Sequence, residues 1–184
     1  MSVIHPQVYP PMEDTYLLLE ASHKEINPCD RVLEVGCGSG FIAARLAENA
    51  LVLGTDINPH AVREARGKGI DAVRCDLCCG LRGPFDLILF NPPYLPTDTD
   101  ERIDDWLEHA LDGGEDGCRV IARFAAQAGK VLAPGGRILL LLSSLTGLDR
   151  VNGIFAQQGF QCEAVVEKHV EGETLVVIRC RAVL

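Results

Sequence analysis

The sequence predicts an α/β fold with a mostly parallel sheet and helices on both faces, and three features support this prediction. Five short apolar runs have the pattern of strands that are buried on both faces. Helical patterns separate most of these runs, as the crossover connections of parallel strands require. Two last strand patterns, Gln161–Lys168 and Thr174–Cys180, flank the turn Glu171–Glu173 and predict an antiparallel hairpin at the carboxyl end.

Local patterns define the individual elements. A first helix buries Leu17, Leu18 and Ala21, and the acids Glu13 and Asp14 suit its first turn because they complement the helix dipole. The remaining patterns, in chain order, predict strands at Val32–Val35, Leu51–Asp56, Ala72–Cys75, Phe85–Phe90 and Arg137–Leu142, helices after Gly40 and at Pro59–Lys68, Val120–Val131 and Leu148–Gln158, and a turn at Ala133–Gly136.

Length and composition restrict the protein class. The 184 residues suit one domain over residues 1–184. Residues 1–7 are predicted to be loose, and the long acidic stretch Leu95–Arg119 is typical of a functional lid. The sequence shows no secretory signal and no membrane-spanning apolar run, so we expect a cytoplasmic protein whose eight cysteines are reduced. The net charge of −9, without a Lys/Arg cluster, argues against a nucleic-acid partner. Cys75, Cys78 and Cys79 lack a second Cys/His pair at zinc spacing, so no metal is expected.

A glycine loop follows the first strand. Gly36, Gly38 and Gly40 let the backbone turn sharply, and the helix that follows presents N–H groups to a ligand. The spacing departs from a dinucleotide fingerprint, because the sixth position is Phe41. Glu34 before the loop would repel a pyrophosphate but could pair with a cationic ligand. The loop therefore predicts a nucleotide-like cofactor with positive charge, the alternative being a structural turn.

Acids also end the next two strands. Asp56 lies about twenty residues after the glycine loop begins, where a carboxylate can accept hydrogen bonds from ribose hydroxyls. The alternative for Asp56 is a cap of the following helix. Asp76 and the N–H of Leu77 could bind the amine and a ring nitrogen of adenine, although Asp also favours turns.

The fourth strand runs into Asn91-Pro92-Pro93-Tyr94. Each proline restricts the residue before it to extended geometry, so Asn91 and Pro92 are held rigidly at the carboxyl end of the sheet. The Asn91 side-chain oxygen and the Pro92 carbonyl then form a pair of acceptors that suits a planar –NH₂ group, and Tyr94 adds an aromatic face that can stabilise charge developing on nitrogen.

Together these motifs resemble the HemK-type protein-glutamine methyltransferases of the archaeal and eukaryotic branch. The resemblance covers nearly the whole chain, and the motifs that carry it are Tyr9-x-Pro11-x-Glu13-Asp14-Thr15, Glu34-x-Gly36-x-Gly38-x-Gly40, Asp56, Asp76, Asn91-Pro92-Pro93-Tyr94 and Asp112-Gly113-Gly114-x-Asp116-Gly117. It implies a Rossmann-like class I methyltransferase fold with a seven-stranded sheet, without the N-terminal helical domain of bacterial members.

The resemblance also implies a cofactor, a substrate and a partner. The cofactor is S-adenosylmethionine, and the substrate is the glutamine of the Gly-Gly-Gln loop in class-1 translation release factors. A small zinc-binding activator protein is expected to complete the sheet at the third strand, near Ile70–Cys75. The implied cofactor contacts are Thr15, Glu34, Gly36, Gly38, Asp56, Asp76, Leu77 and Asn91, and the implied substrate contacts are Asn91, Pro92, Pro93 and Tyr94. The assignment of Thr15 as a cofactor contact rests on the resemblance alone.

Three other functions stay open at this point. Methylation of the adenine amine in nucleic acid could use the same acceptor pair, whereas methylation of a protein lysine needs no such pair. A non-catalytic subunit that binds the cofactor and stabilises a partner needs neither the pair nor both cofactor acids. Glu34, Asp56 and Asn91, together with the acidic balance, favour the glutamine methyltransferase.

Overall fold

One seven-stranded sheet organises the protein, whose computed structural model describes residues 4–96 and 105–183. The strands are β1 (Arg31–Val35), β2 (Leu51–Asp56), β3 (Asp71–Arg74), β4 (Phe85–Phe90), β5 (Leu132–Ser143), β6 (Phe160–Val170) and β7 (Glu173–Ala182). The helices are α1 (Glu13–Glu25), α2 (Phe41–Leu46), α3 (Pro59–Gly67), α4 (Trp106–His109), α5 (Arg119–Ala128) and α6 (Leu148–Gln157). The strand order is β3-β2-β1-β4-β5-β7-β6, and β7 runs antiparallel to both of its neighbours. The predicted fold class is confirmed.

The strand order places the ligand-binding edge of the sheet. The chain proceeds outward from β1 to β3 and then returns to β4, so the order reverses between β1 and β4, where open α/β sheets bind their ligands. The parallel register pairs Val35 with Phe90 at this point. The glycine loop after β1 and the Asn-Pro-Pro-Tyr segment after β4 therefore leave the sheet side by side.

Apolar side chains cover both faces of the sheet. On one face, Phe124 of α5 and Phe155 of α6 are fully buried against the central strands. On the other face, α1 and α2 pack leucines such as Leu18 and Leu46 against the alternate residues of the same strands. Because successive strand residues point to opposite faces, near-continuous apolar strands such as Ile138–Leu142 supply both layers.

Several predicted boundaries need correction. The predicted turn Ala133–Gly136 lies inside β5, because pairing with β4 starts at Leu132, shifts register, and resumes at Arg137. The hairpin strands β6 and β7 are longer than predicted, since their antiparallel ladder extends from Phe160 to Val170 despite the polar character of β6. The helix predicted at Val120–Val131 begins at Arg119 and ends at Ala128.

The expectation that all thiols are reduced is wrong for one pair. Cys162 and Cys180 face each other across β6 and β7 with a Cα–Cα distance of 4.0 Å, and they form a disulfide. The register of the hairpin brings the two sulfur atoms together, which spacing along the chain does not reveal. The other six cysteines are free, and of the predicted cluster Cys78 is buried whereas Cys79 is exposed.

The amino-terminal segment is attached more firmly than predicted. The side chain of Asn58 donates to the carbonyl of Gln7 at 2.7 Å, and the His5 backbone N–H donates to Glu64 at 3.2 Å. Residues 1–3 of the stretch predicted as loose lie outside the described residues. Among the residues that the structure describes, we find no helix with the length and apolar character needed to cross a membrane.

Candidate active site

A cavity of about 410 Å³ opens at the carboxyl ends of β1, β2 and β4. Every site residue predicted from the sequence lines it, namely Thr15, Glu34, Gly36, Gly38, Asp56, Asp76, Leu77, Asn91, Pro92, Pro93 and Tyr94. Trp106 and His109 of α4 also line it, so part of the stretch predicted as a lid faces the cavity, while its residues 97–104 lie outside the described residues.

The glycine loop holds Glu34 under the start of α2. Gly36, Gly38 and Gly40 have φ angles of 64°, 51° and 70°, which residues with a β-carbon rarely adopt. The Glu34 carboxylate is 6% exposed and accepts a hydrogen bond from the Ala43 N–H at 2.9 Å. Burial raises the pKa of Glu34 to about 8, against the opposing effect of that hydrogen bond. A cationic group in the cavity would favour the charged form.

Asp56 lies at the end of β2, opposite the loop. One carboxylate oxygen accepts from the Gly38 N–H at 2.9 Å and the other from the Asn58 N–H at 2.8 Å. The cap of α3 is Asn58, which accepts from His60, so the alternative assignment of Asp56 as a helix cap is wrong. Burial raises the pKa of Asp56. A carboxylate has about four acceptor directions, so this pair of N–H bonds leaves capacity for a vicinal diol.

Asp76 and Leu77 form the far wall, with one unpredicted contact. Asp76 lies beyond the end of β3 at Arg74, and its carboxylate pairs with Arg123 of α5 at 2.5 Å. Both side chains are about half exposed, so the pair contributes little to stability but can orient the carboxylate. Leu77 is buried and has a positive φ of 55°, which turns its backbone at the cavity wall.

The side chain of Asn91 forms a hydrogen bond with Asp14, an acid whose predicted role was to complement the dipole of α1. Asp14 of α1 is 4% exposed, and its Oδ2 atom accepts from Asn91 Nδ2 at 3.0 Å and from the Tyr9 hydroxyl at 3.1 Å. The other end of the Asn91 amide, Oδ1, is buried and has no hydrogen-bond partner among the described residues. Asp14 could have been found from the helical spacing, because it shares the buried stripe of Leu17, Leu18 and Ala21.

Two parts of the chain contact the backbone of the Asn-Pro-Pro-Tyr motif, namely Thr146 after β5 and the Asp112–Gly117 segment. The Thr146 hydroxyl donates a hydrogen bond to the Tyr94 carbonyl at 2.8 Å. Gly117 has a φ of 68°, and a β-carbon there would lie 2.3 Å from the same carbonyl oxygen. A β-carbon on Gly113 would lie 2.9 Å from the Pro93 carbonyl oxygen. Burial and the charge of Asp14 raise the pKa of Tyr94, so its ring stands neutral at the cavity wall.

Thr15 lines the cavity, yet its observed hydrogen bonds are local. Its hydroxyl donates to Asp14 Oδ1 at 3.1 Å and accepts from the Met12 N–H at 3.3 Å. The resemblance assigned Thr15 to the cofactor; its contacts among the described residues are with Asp14 and the start of α1.

The residues present fit S-adenosylmethionine. A buried acid with a raised pKa, such as Glu34, is stabilised in its charged form by a cation, and this cofactor carries a sulfonium and an α-amino group. Asp56 can accept from a ribose diol. Asn91 lines the same cavity, and its buried Oδ1 atom has no hydrogen-bond partner among the described residues, so it is a separate acceptor for the donor group of a second molecule.

Comparisons with known proteins agree with this chemistry. Residues 32–114 match the family model described as "Methyltransferase domain". A protein of Methanocaldococcus jannaschii with the name "Putative protein N5-glutamine methyltransferase MJ0928" is 40% identical, over 95% of this chain and 92% of its own length. The mouse protein "Methyltransferase HEMK2" is 34% identical over 94% of this chain and 88% of its own length.

A solved structure is similar over almost the whole chain. The E. cuniculi Mtq2-Trm112 complex, described as responsible for methylation of the translation termination factor eRF1, superposes with a TM-score of 0.81. The match is 30% identical and covers 96% of this chain and 99% of that chain. A Bacteroides fragilis methyltransferase with bound S-adenosyl-L-homocysteine shares the fold alone, with a TM-score of 0.65, 19% identity, and coverage of 91% of this chain and 78% of that chain.

Proposed function

We propose that this chain, which belongs to the HemK-type family of protein-glutamine methyltransferases, methylates the glutamine of the Gly-Gly-Gln loop in a class-1 translation release factor. The methyl group comes from S-adenosylmethionine and goes to the side-chain amide nitrogen. One observation carries the proposal: Asn91 lines the cavity that also contains Glu34 and Asp56, and its buried Oδ1 atom has no hydrogen-bond partner among the described residues.

The cofactor side of the cavity binds by charge and hydrogen bonds. Glu34 pairs with the positive charge of the cofactor, Asp56 accepts from the ribose, and Asp76 with the Leu77 N–H receives the adenine, while Gly36 and Gly38 allow close backbone approach. Arg123 orients the Asp76 carboxylate through its 2.5 Å contact. When bound, S-adenosylmethionine supplies an electrophilic methyl group on a sulfonium centre.

The substrate side of the cavity holds the amide. Asn91 Oδ1 and the Pro92 carbonyl accept the two hydrogens of the glutamine –NH₂ group, and Pro93 keeps this segment extended. An amide nitrogen is a poor nucleophile because its lone pair is delocalised, so the protein contributes position and electrostatic support for the charge that develops on nitrogen. Two carbonyl oxygens and the face of Tyr94 supply that support. In the reaction the nitrogen would form a bond to the methyl group as the bond between sulfur and that methyl group breaks, and one of the amide protons would pass to solvent.

Methyl transfer from labelled cofactor tests this function. A release factor should be labelled, and its Gly-Gly-Gln→Gly-Gly-Ala variant should not. Label on both proteins would indicate a different side chain, such as a lysine. Cofactor binding without label on either protein would favour the non-catalytic subunit, and label on nucleic acid would favour adenine.

A small zinc-binding partner that completes the sheet is the second part of the proposal. β3 is one edge of the sheet and has four residues, Asp71–Arg74, so an added strand can pair along its outer side, where it would compete with the hydrogen bond from Arg66 to the Ala72 carbonyl. Ile57 is an exposed apolar side chain beside this edge, since its carbonyl accepts from Arg74. The E. cuniculi relative was solved as a complex with a second protein, Trm112.

Two half-buried valines on the two edge strands provide a matched test of this partner site. Val73→Lys on β3 should abolish complex formation with a small zinc-binding Trm112-type protein, because a charged lysine blocks strand addition. Val170→Lys on β6, at the opposite edge, should leave the complex intact. The mass in solution, measured with and without the partner, gives the result. A fully active monomer that forms no complex would refute the partner proposal and leave the proposed reaction standing.

A further inference from the structure

The Asp14 carboxylate accepts four hydrogen bonds from donors among the described residues. Oδ1 receives the Thr15 N–H at 2.6 Å and the Thr15 hydroxyl at 3.1 Å. Oδ2 receives the Tyr9 hydroxyl at 3.1 Å and Asn91 Nδ2 at 3.0 Å. Burial and the Asp14 charge raise the pKa of Tyr9, so its hydroxyl retains the proton that it donates.

This arrangement settles which way the Asn91 amide points. The two ends of a side-chain amide have nearly the same shape, so their assignment depends on hydrogen-bond partners. An ionised carboxylate repels an oxygen and attracts –NH₂, so Asn91 must offer its nitrogen to Asp14. Oδ1 is then directed away from Asp14, where it is buried and without a partner among the described residues.

We propose that Asp14 is a positioning residue that fixes Asn91 with its oxygen toward the substrate, so that the site selects the –NH₂ group of glutamine over the carboxylate of glutamate. This inference rests on the proposed function and deepens it. Glutamine and glutamate differ little in shape, so shape alone discriminates weakly between them. Two acceptors, Asn91 Oδ1 and the Pro92 carbonyl, receive a glutamine amide but repel a glutamate carboxylate. A reversed Asn91 would present a donor and weaken this discrimination.

Exchanging the two side chains tests the inference. In Asp14→Asn, the oxygen stays with the two Thr15 donors and the new –NH₂ faces Asn91, whose amide must reverse. Turnover per KM for the release factor should fall about 10- to 100-fold, the cost of one mismatched buried hydrogen bond. Asn91→Asp should lower turnover per KM by a similar factor, because two carboxylates then face each other. The double variant restores a donor at position 14 and an acceptor oxygen toward the cavity, so it should recover at least about tenfold over either single variant.

A matched control separates this role from helix stability. Glu13→Gln removes a first-turn acid one residue away, where Glu13 is exposed and pairs with Lys168. Its turnover should stay within about twofold of wild type. Recovery in the double variant is a readout that a merely structural Asp14 would not give. No recovery, or an Asp14→Asn variant as active as Glu13→Gln, would overturn the inference.

Two measurements on the wild-type protein keep the inference testable if a variant fails to fold. With S-adenosylhomocysteine present, the release factor should bind at least about tenfold more tightly than its Gly-Gly-Gln→Gly-Gly-Glu variant, and equal affinities would overturn the inference. Without any substrate, the Asn91 side-chain amide protons should exchange much more slowly by NMR than those of the exposed Asn49. Equal exchange rates would overturn the inference whatever the enzyme methylates, whereas slow exchange without methyl transfer to the release factor would refute only the proposed function.

Discussion

Replacing Glu34 with glutamine should make the protein more stable than the wild type at high pH and lower its affinity for the cofactor. Glu34 is 6% exposed and has one hydrogen bond from the protein, the Ala43 N–H at 2.9 Å. Glutamine keeps the length of the side chain and an oxygen for this donor. It removes the need to place a charge in a buried site, and it also removes the charge that we propose pairs with S-adenosylmethionine.

The magnitude follows from the pKa of Glu34, which burial raises from its ordinary value of 4.5 to about 8. Between these values the folded state binds a proton that the unfolded state has released, so stability falls as the pH rises through this window. Each pH unit well inside this window costs roughly 1.4 kcal/mol, so between pH 6 and pH 9 the wild type should lose about 3 kcal/mol that Glu34→Gln does not lose. Above pH 9 this difference stays nearly constant.

Urea unfolding of both proteins at pH 6 and pH 9 measures the effect, because other titrating groups contribute equally to the two proteins. Calorimetry in two buffers of different ionisation enthalpy measures the affinity for the cofactor and the protons released on binding. At pH 7 the wild type should release close to one proton when it binds the cationic cofactor. Glu34→Gln should release none from this site and bind at least about tenfold more weakly. Parallel pH profiles for the two proteins, together with equal proton release, would refute the reasoning.

Three further substitutions have distinct expected outcomes. Asn91→Ala should leave cofactor affinity within about twofold while turnover falls at least about 100-fold, because it removes a substrate acceptor; an equal loss of both in calorimetry and kinetics would contradict the assigned role. Asp56→Ala should weaken cofactor binding at least about tenfold, because it removes the ribose acceptor and frees the Gly38 N–H; unchanged affinity by calorimetry would exclude that role. Gly117→Ala should lower the thermal midpoint and displace Tyr94, because the added β-carbon would lie 2.3 Å from the Tyr94 oxygen; an unchanged midpoint and rate would show that this support is dispensable.

The layered fold was predictable because its signals are local. Buried parallel strands such as Phe85–Phe90 are apolar on both faces, and that pattern is visible in the sequence. The pairing partner of a strand residue lies far away in the sequence. The register shift in β5 around Ala133–Gly136 and the disulfide between Cys162 and Cys180 therefore could not be predicted from local patterns. The edge strand β6 has few buried residues, so its full length depends on pairing with β7.

The convergence of the site residues was predictable for a physical reason. Glu34 precedes the loop at the end of β1, Asp56 ends β2 and Asn91 follows β4. Because β2 and β4 flank β1 as its parallel neighbours, the carboxyl ends of all three strands meet at one edge of the sheet. Asp14 was missed because an acid in a first helical turn already has a general explanation. Arg123 was missed because its contact with Asp76 joins residues far apart in the chain.

Locating the transferred methyl group by peptide fragmentation mass spectrometry tests the central claim most directly. A release factor incubated with the protein and S-adenosylmethionine should carry one methyl group on the side-chain amide nitrogen of the Gly-Gly-Gln glutamine, and incubation with Asn91→Ala should leave that glutamine unmodified. A methyl group on a lysine, or on any atom other than that amide nitrogen, would contradict the claim.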